Sequence, residues 1–335
     1  MIDWDELKPI NQGCLLLWGE CFGFVERHEK ETWIRHVECD IIKKVERWVG
    51  MIYFCADDYG ISDKCNNRIE ECLVHGVLNK VSVLPNGDLA DFKQRLLCYG
   101  AKLSLHLNLV EGYPLSDPKE ISLLVSKEGT FRYSFVGLFF LSLSNKRKQL
   151  QKQLYKELQK QVSFWRETMG EAIPISIDSH QHTHMIPLVF QTLMQVLRDD
   201  GAVVECVRIP AEPLLPYLLS PSLYTSYTLS GVIKQWLLKI LAWINRGERK
   251  NSNFDVTYFM GVLFSGRVTE EKIEKVLPRY IKLAKKHNKN IEIGLHPGYL
   301  ECDEELMAGC RPGFKAFYES QWRKREYDAL MKFTL

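Results

Sequence analysis

From residue 51 onward the chain alternates between two rhythms of apolar and polar positions. Short apolar runs at 52–56, 81–84, 101–109, 173–177, 203–209 and 291–295 predict buried strands. Between them apolar residues recur at helical spacing. Ile69, Leu73 and Val77 do so around 66–76, and Leu150, Leu154, Leu158, Val162 and Trp165 do so across 146–165. Helices are also expected at 187–197 and 270–287. Strands interleaved with helices imply a parallel sheet covered on both faces. An open doubly wound sheet and a closed (β/α) barrel both fit. No G-x-G-x-x-G follows the first strand, so the nucleotide-binding version loses support.

Residues 1–50 lack this alternation. They are rich in Trp, carry a helical stretch at 38–49 and hold no chemical motif. They read as an N-terminal extension of unknown role, with a 51–335 domain behind it. A second irregular stretch is an insertion near 215–255. There Val232, Ile233, Trp236, Leu237, Ile240, Leu241 and Ile244 lie at helical spacing among Lys234, Lys239, Arg246 and Arg249. The first reading is an amphipathic helix packed over the barrel or against a subunit of a homo-oligomer. The second is a helix lying on a membrane surface.

Composition narrows the function classes. A hydrophobic fraction of 46% supports a large core, and a net charge of +2 without a concentrated basic face gives no case for nucleic acid. The apolar run at 135–143 is about half of what spans a bilayer. Residues 1–9 are acidic and polar, unlike a secretory leader. The 10 cysteines form no C-x-x-C pair and are expected as reduced thiols. A cytoplasmic protein is expected.

Chemistry-bearing residues gather where the predicted strands end. The first strand runs into Asp57-Asp58. The 101–109 strand carries Ser104, His106 and Asn108 on one face. The 173–177 strand leads into Asp178-Ser179-His180-Gln181-His182-Thr183-His184, and the 291–295 strand into His296-Pro297-Gly298. In parallel α/β folds the loops after the strands converge on one functional face. Each feature alone has an ordinary explanation: a helix cap for the paired acids, a satisfied core histidine for His106, a tight turn for His296. The 178–184 segment resists one. Adjacent strand residues point to opposite faces, so both acids reach one site only if the strand has ended by Asp57. Two histidines and one carboxylate hold a divalent ion with positions left open. Such an ion activates water, a second carboxylate can act as base, and an opposing histidine can protonate a leaving group. These parts suit hydrolysis of an amide or ester. A phosphoesterase would show basic residues or a glycine-rich helix start at the rim. A glycosidase needs carboxylates farther apart than 57 and 58 can be. A non-catalytic sugar-binding barrel is the third alternative.

Four motifs then carry a family resemblance. They are Ala56-Asp57-Asp58-Tyr59-Gly60-Ile61-Ser62; Leu105-His106-Leu107-Asn108-Leu109 with Glu111-Gly112-Tyr113-Pro114-Leu115; Asp178 to His184; and His296-Pro297-Gly298-Tyr299. In order and spacing they resemble the YdjC-like carbohydrate deacetylases. The resemblance implies a distorted (β/α) TIM-like barrel, with parallel strands and the active site at their C-terminal ends. It implies removal of an acetyl group from an N-acetylated sugar, typically a chito-oligosaccharide. By the same resemblance Asp58, His106 and His180 bind one divalent metal, magnesium or zinc foremost. Asp57 is the base, and His296 is the acid or orients the oxyanion. Asp178, His182 and His184 support the site, and Arg208 and Glu212 contact the sugar. Tyr59 stands where many members carry Phe, and its hydroxyl is free to find a partner.

Overall fold

Seven parallel strands form one sheet in the order β5-β4-β3-β2-β1-β7-β6. They are β1 (Ile52–Tyr59), β2 (Lys80–Val83), β3 (Lys102–Leu107), β4 (Ile175–Ser179), β5 (Val204–Val207), β6 (Tyr258–Met260) and β7 (Ile291–Leu295). This computed structural model describes residues 50–264 and 266–332. The helix expected at 38–49, and the extension it belongs to, lie outside the described residues. β2, β4 and β7 are buried along their whole length, as strands covered on both faces are, although β2 and β4 alternate apolar with polar residues. The sheet curls until its edges almost meet. Val207 N donates to Asp255 O, and Asp255 N donates to Glu205 O at 2.9 Å. These bonds join β5 to the segment leading into β6 and make an incompletely closed, distorted barrel.

Helices return the chain between strands: α1 (Asp63–His75), α2 (Phe92–Cys98), α3 (Phe135–Ser142), α4 (Arg147–Met169), α5 (Pro187–Asp199), α6 (Leu229–Ile244), α7 (Glu270–His287) and α8 (Gln321–Lys332). α4 buries the expected stripe of Leu150, Leu154, Leu158, Val162 and Trp165. The bounds of α7 coincide with the expectation because its ends are chemically marked. Glu270 and Glu271 open it, and Lys285, Lys286 and His287 close it, each complementing the helix dipole.

α6 corrects the sequence reading. The helix is there, capped by the Thr228 hydroxyl accepting from Gly231 N at 3.0 Å. Its packed face is Gly231, Gln235, Leu238, Leu241 and Ala242. Of the apolar residues expected to pack, only Leu241 is buried; Ile233, Trp236, Ile240 and Ile244 are exposed. Gly231 sets this orientation. A Cβ there would lie 2.4 Å from the Leu263 carbonyl, so only glycine permits the contact. Among the described residues no helix is long and apolar enough to cross a membrane. Among the described residues, Cys55, Cys65, Cys72, Cys206, Cys302 and Cys310 are free thiols.

Candidate metal centre

Two neighbouring acids reach one site through an irregularity. β1 does not end before Asp57. Its pairing with β2 shifts register between Ala56 and Tyr59, and Asp58 takes a φ of 70°. A bulge of this kind re-aims side chains, and a left-handed non-glycine residue costs about 1–3 kcal/mol. Both acids are buried, Asp57 at 3% and Asp58 at 2% exposure.

β3 and β4 supply the facing groups. His106 and Asp178 are register partners across the two strands. His106 Nδ1 lies 2.5 Å from Asp178 Oδ1. That contact fixes the ring and turns Nε2 toward Asp58 Oδ1, 3.3 Å away. His180 follows β4 directly, and its Nδ1 lies 2.7 Å from the same Asp58 oxygen. Gln181 and His182 then adopt left-handed φ values of 52° and 57°, which carry the chain away from the site. The other Asp58 oxygen accepts from Tyr318 Oη and Arg323 Nη2, both at 2.9 Å.

Donor atoms of Asp58, His106 and His180 lie within 4.8 Å of one another. The Nε2 atoms of both histidines are buried without a hydrogen bond. Unpartnered buried nitrogens beside a carboxylate are what a divalent ion would satisfy, so these residues fit one. Two further groups have similar spacing, Cys55–Asp178–Glu292 and Asp57–His106–Asp178. Both already enclose a cation. Arg208 binds the two Asp57 oxygens at 2.6 and 2.8 Å and Glu292 at 2.7 Å. It also reaches Asp178 Oδ2 at 2.9 Å and Cys55 Sγ at 3.2 Å.

The charges shift accordingly. Burial would raise the Asp58 carboxyl, but His180, His106 and Arg323 hold it well below the usual range. Asp178 is likewise lowered, against burial, by Arg208 and His106. Burial would lower His106, but Asp178 and Asp58 push it up to about 10.

The remaining expected residues fall into distinct places. His184 is locked, with Nδ1 at 2.6 Å from Ser179 Oγ and Nε2 at 2.8 Å from the Arg208 carbonyl. Burial lowers it to about 4. His182 lies edge-on to Phe259, its Nδ1 without a partner, and burial and then Arg208 lower it well below the usual range. Among the described residues it belongs to no group spaced to hold a metal. His296 follows β7. Its backbone N donates to Glu326 at 2.7 Å, and the same carboxylate oxygen lies 3.5 Å from Nδ1. Its side chain is 27% exposed. Arg208 and Glu212, expected at the sugar, are interior residues with 1% and 0% exposure. Glu212 accepts from the amides of Val262 at 2.8 Å and Leu263 at 3.0 Å, and from Gly261 N, so it ties the loop after β6 to the segment after β5. Burial raises its carboxyl to about 7 against those three donors. Tyr59 finds its partner in Glu70, at 2.6 Å.

Four participants went unread in the sequence: Ser82, Glu292, Tyr318 and Arg323. Glu292 had a signal, a lone charge inside an apolar strand. Tyr318 and Arg323 had none, since they reach Asp58 from far along the chain.

A family model described as YdjC-like protein matches residues 51–335. A carbohydrate deacetylase of Danio rerio is 28% identical over 291 residues, covering 82% of this chain and 89% of that protein. A chitooligosaccharide deacetylase of Citrobacter koseri is 27% identical, covering 58% of this chain and 76% of that protein. Among solved structures, an Enterococcus faecalis protein provisionally described as a cellobiose-phosphate cleavage protein superposes with a TM-score of 0.57. It is 16% identical and covers 85% of this chain and 91% of that one, a likeness of fold.

Proposed function

The chain belongs to the YdjC-like protein family, and on that premise we propose that it is a hydrolase removing the acetyl group from an N-acetylated sugar or oligosaccharide. The observation that carries this reading is the buried group of Asp58, His106 and His180, whose ligand atoms lie within 4.8 Å of one another and whose two imidazole Nε2 atoms have no hydrogen-bond partner. Asp58, His106 and His180 would hold one divalent ion, magnesium or zinc foremost. That ion supplies the Lewis acidity of the reaction, acidifying water and polarising the acetamide carbonyl.

The protein's own groups do the rest. Asp178 keeps a proton on His106 Nδ1 and so leaves Nε2 as the donor. Tyr318 and Arg323 fix one oxygen of Asp58, which leaves the other turned to the imidazoles. Asp57 accepts the proton of the attacking water. Its grip by Arg208 uses one lone pair on each oxygen and aims the remaining pairs. His296 delivers a proton to the departing amine, with Glu326 steadying its ring from the Nδ1 side. Arg208 and Glu212 act here as supports for Asp57 and the rim loops rather than as sugar contacts. All of these groups lie within the 51–335 domain, and 1–50 stands as an N-terminal extension of unknown role. The exposed free thiol of Cys302 agrees with a reducing, cytoplasmic setting.

An acetate-release assay over N-acetylated mono- and oligosaccharides, run with several divalent ions, tests the proposal. Release that is abolished by chelation and by Asp57→Asn is expected. Release unaffected by both would remove it.

A further inference from the structure

α6 carries an apolar face that the described residues leave exposed. Leu229 is 77% exposed, Trp243 62%, Ile233 59% and Trp236 56%, and Ile240 and Ile244 are exposed beside them. At 3.6 residues per turn these six side chains fall within an arc of about 100°. The packed face, centred on Leu238, lies opposite. Lys239 and Arg246 fall on one flank of the apolar arc. The Arg246 guanidinium stands 4.3 Å from the centre of the Trp243 ring. The segment before the helix adds exposed Leu215, Leu218, Leu219 and Tyr224.

We propose that this outward face of α6 is a docking surface for an anionic lipid bilayer, on which the helix lies in the plane of the interface. Its pattern is that of an interfacial helix: an apolar arc, Trp at the apolar–polar boundary, and cations along one flank. The helix has 16 residues, or about 24 Å, too short to cross a bilayer but long enough to lie on one. The charge pattern selects the occupant. Residues 213–247 contain no Asp or Glu. A second copy packed on this face by two-fold symmetry would bring Lys239 and Arg246 against themselves with no carboxylate between. An anionic headgroup layer supplies the missing negative charge. The helix is also tied to the candidate active site. Asn245 Nδ2 donates to the carbonyl of Met185, at the end of the turn that begins with His180, at 2.9 Å. Gln235 Nε2 donates to the Glu212 carbonyl at 2.9 Å. Docking through α6 would therefore hold the rim in a set position near the bilayer.

Flotation of the full-length chain with vesicles tests this, using phosphatidylcholine alone or mixed with phosphatidylglycerol. The expected result is recovery about tenfold higher on the mixed vesicles, and lost at high salt. Replacing Ile233, Trp236, Ile240 and Trp243 by Ser should lower that recovery about tenfold or more. These side chains are exposed, so the thermal midpoint should be kept. The charge variant Lys239→Glu with Arg246→Glu leaves the apolar arc intact and should lose anionic vesicles to a similar degree. Absent recovery on mixed vesicles would overturn the proposal. So would recovery untouched by both variants, or a dimer in solution that the Ser variant dissolves while no vesicle binding is seen. The assay reads lipid binding alone, so it stands or falls apart from the deacetylase reading.

Discussion

Two groups of buried charges share the inside of the curled sheet, and they are balanced in different ways. Around Arg208, the carboxylates of Asp57, Asp178 and Glu292 face a cation that the chain itself provides, with Lys80 on Glu292 at 3.0 Å. Around Asp58, Arg323 covers one oxygen, while the other faces two imidazoles whose Nε2 atoms have no partner. The residue types are similar and both groups are buried. What separates them is whether the buried imidazole nitrogens have partners. Around Arg208 the chain's own groups meet one another; around Asp58 two Nε2 atoms are left that a divalent ion would satisfy.

The largest expected effect comes from removing the internal cation. Arg208→Met leaves Asp57, Asp178 and Glu292 facing one another in the dry interior. It should cost about 3–5 kcal/mol of stability in urea unfolding at neutral pH. The loss should depend on pH. Asp178 is held below its ordinary value of 3.8 in the folded protein. Its pairing therefore stabilises above that value, and the contribution fades as pH falls through the folded pKa. The gap between wild type and variant should narrow below about pH 4. A loss under about 1 kcal/mol would mean that Arg208 does not brace the sheet.

The metal-like group should respond the other way. His106→Ala with His180→Ala should weaken divalent-ion binding by about 100-fold or more in calorimetric titration. Because Asp178 keeps Arg208 and Ser82 as partners, the ion-free protein should lose only about 1–2 kcal/mol. If the ion-free double variant were as unstable as Arg208→Met, the division between brace and site would fail.

Proton competition sharpens the same division. His106 is pushed up to about 10 by Asp178 and Asp58 against the effect of burial. An ion must displace that proton, so affinity should rise with pH, by up to about tenfold per unit until the pKa is reached. The stability sign is opposite. A raised histidine stabilises fully below 6.5, and that contribution is lost as pH rises through about 10. Asp178→Asn removes the main charge holding the proton, so its affinity curve should flatten at lower pH. A wild-type curve that is flat between about pH 7 and 9 would mean that the imidazole enters neutral.

This difference between the clusters was only half visible in the sequence. Strand ends showed where acids and histidines gather, because period and chemistry change there together. β7 and α7 were legible to the residue for the same reason. β6 was not, since three residues at Tyr258–Met260 leave no period to detect. α8 was missed because its buried positions include Arg323 and Glu326 within a charged stretch, which binary patterning assigns to solvent. The partners of Asp58 and His296 come from that helix and from Tyr318, and no local spacing announces them. Arg208 carried no signal separating a substrate contact from a buried brace; only its three carboxylates do. Spacing did not separate His180 from His182 and His184; the family resemblance picked His180, and among the described residues it is the one of the three that lies in a group with Asp58 and His106.

The smallest effect tests where the bulge in β1 gets its support. Tyr59 follows Asp58 directly, yet its hydroxyl turns away from both clusters to Glu70 at 2.6 Å. Glu70 is in turn held by Arg95 at 2.9 Å. Tyr59→Phe deletes one hydrogen bond on the outer side of the strand and leaves the ring in place. It should cost about 1 kcal/mol. Ion affinity should stay within about twofold, because Asp58 is held by Arg323 and Tyr318 on the opposite side. A tenfold fall in affinity, seen in the same calorimetric titration, would place the anchor of the left-handed Asp58 in the Tyr59–Glu70–Arg95 chain. The site would then depend on a surface network that the Arg208 cluster does not touch, and brace and site would be separated in mechanical support as well as in charge.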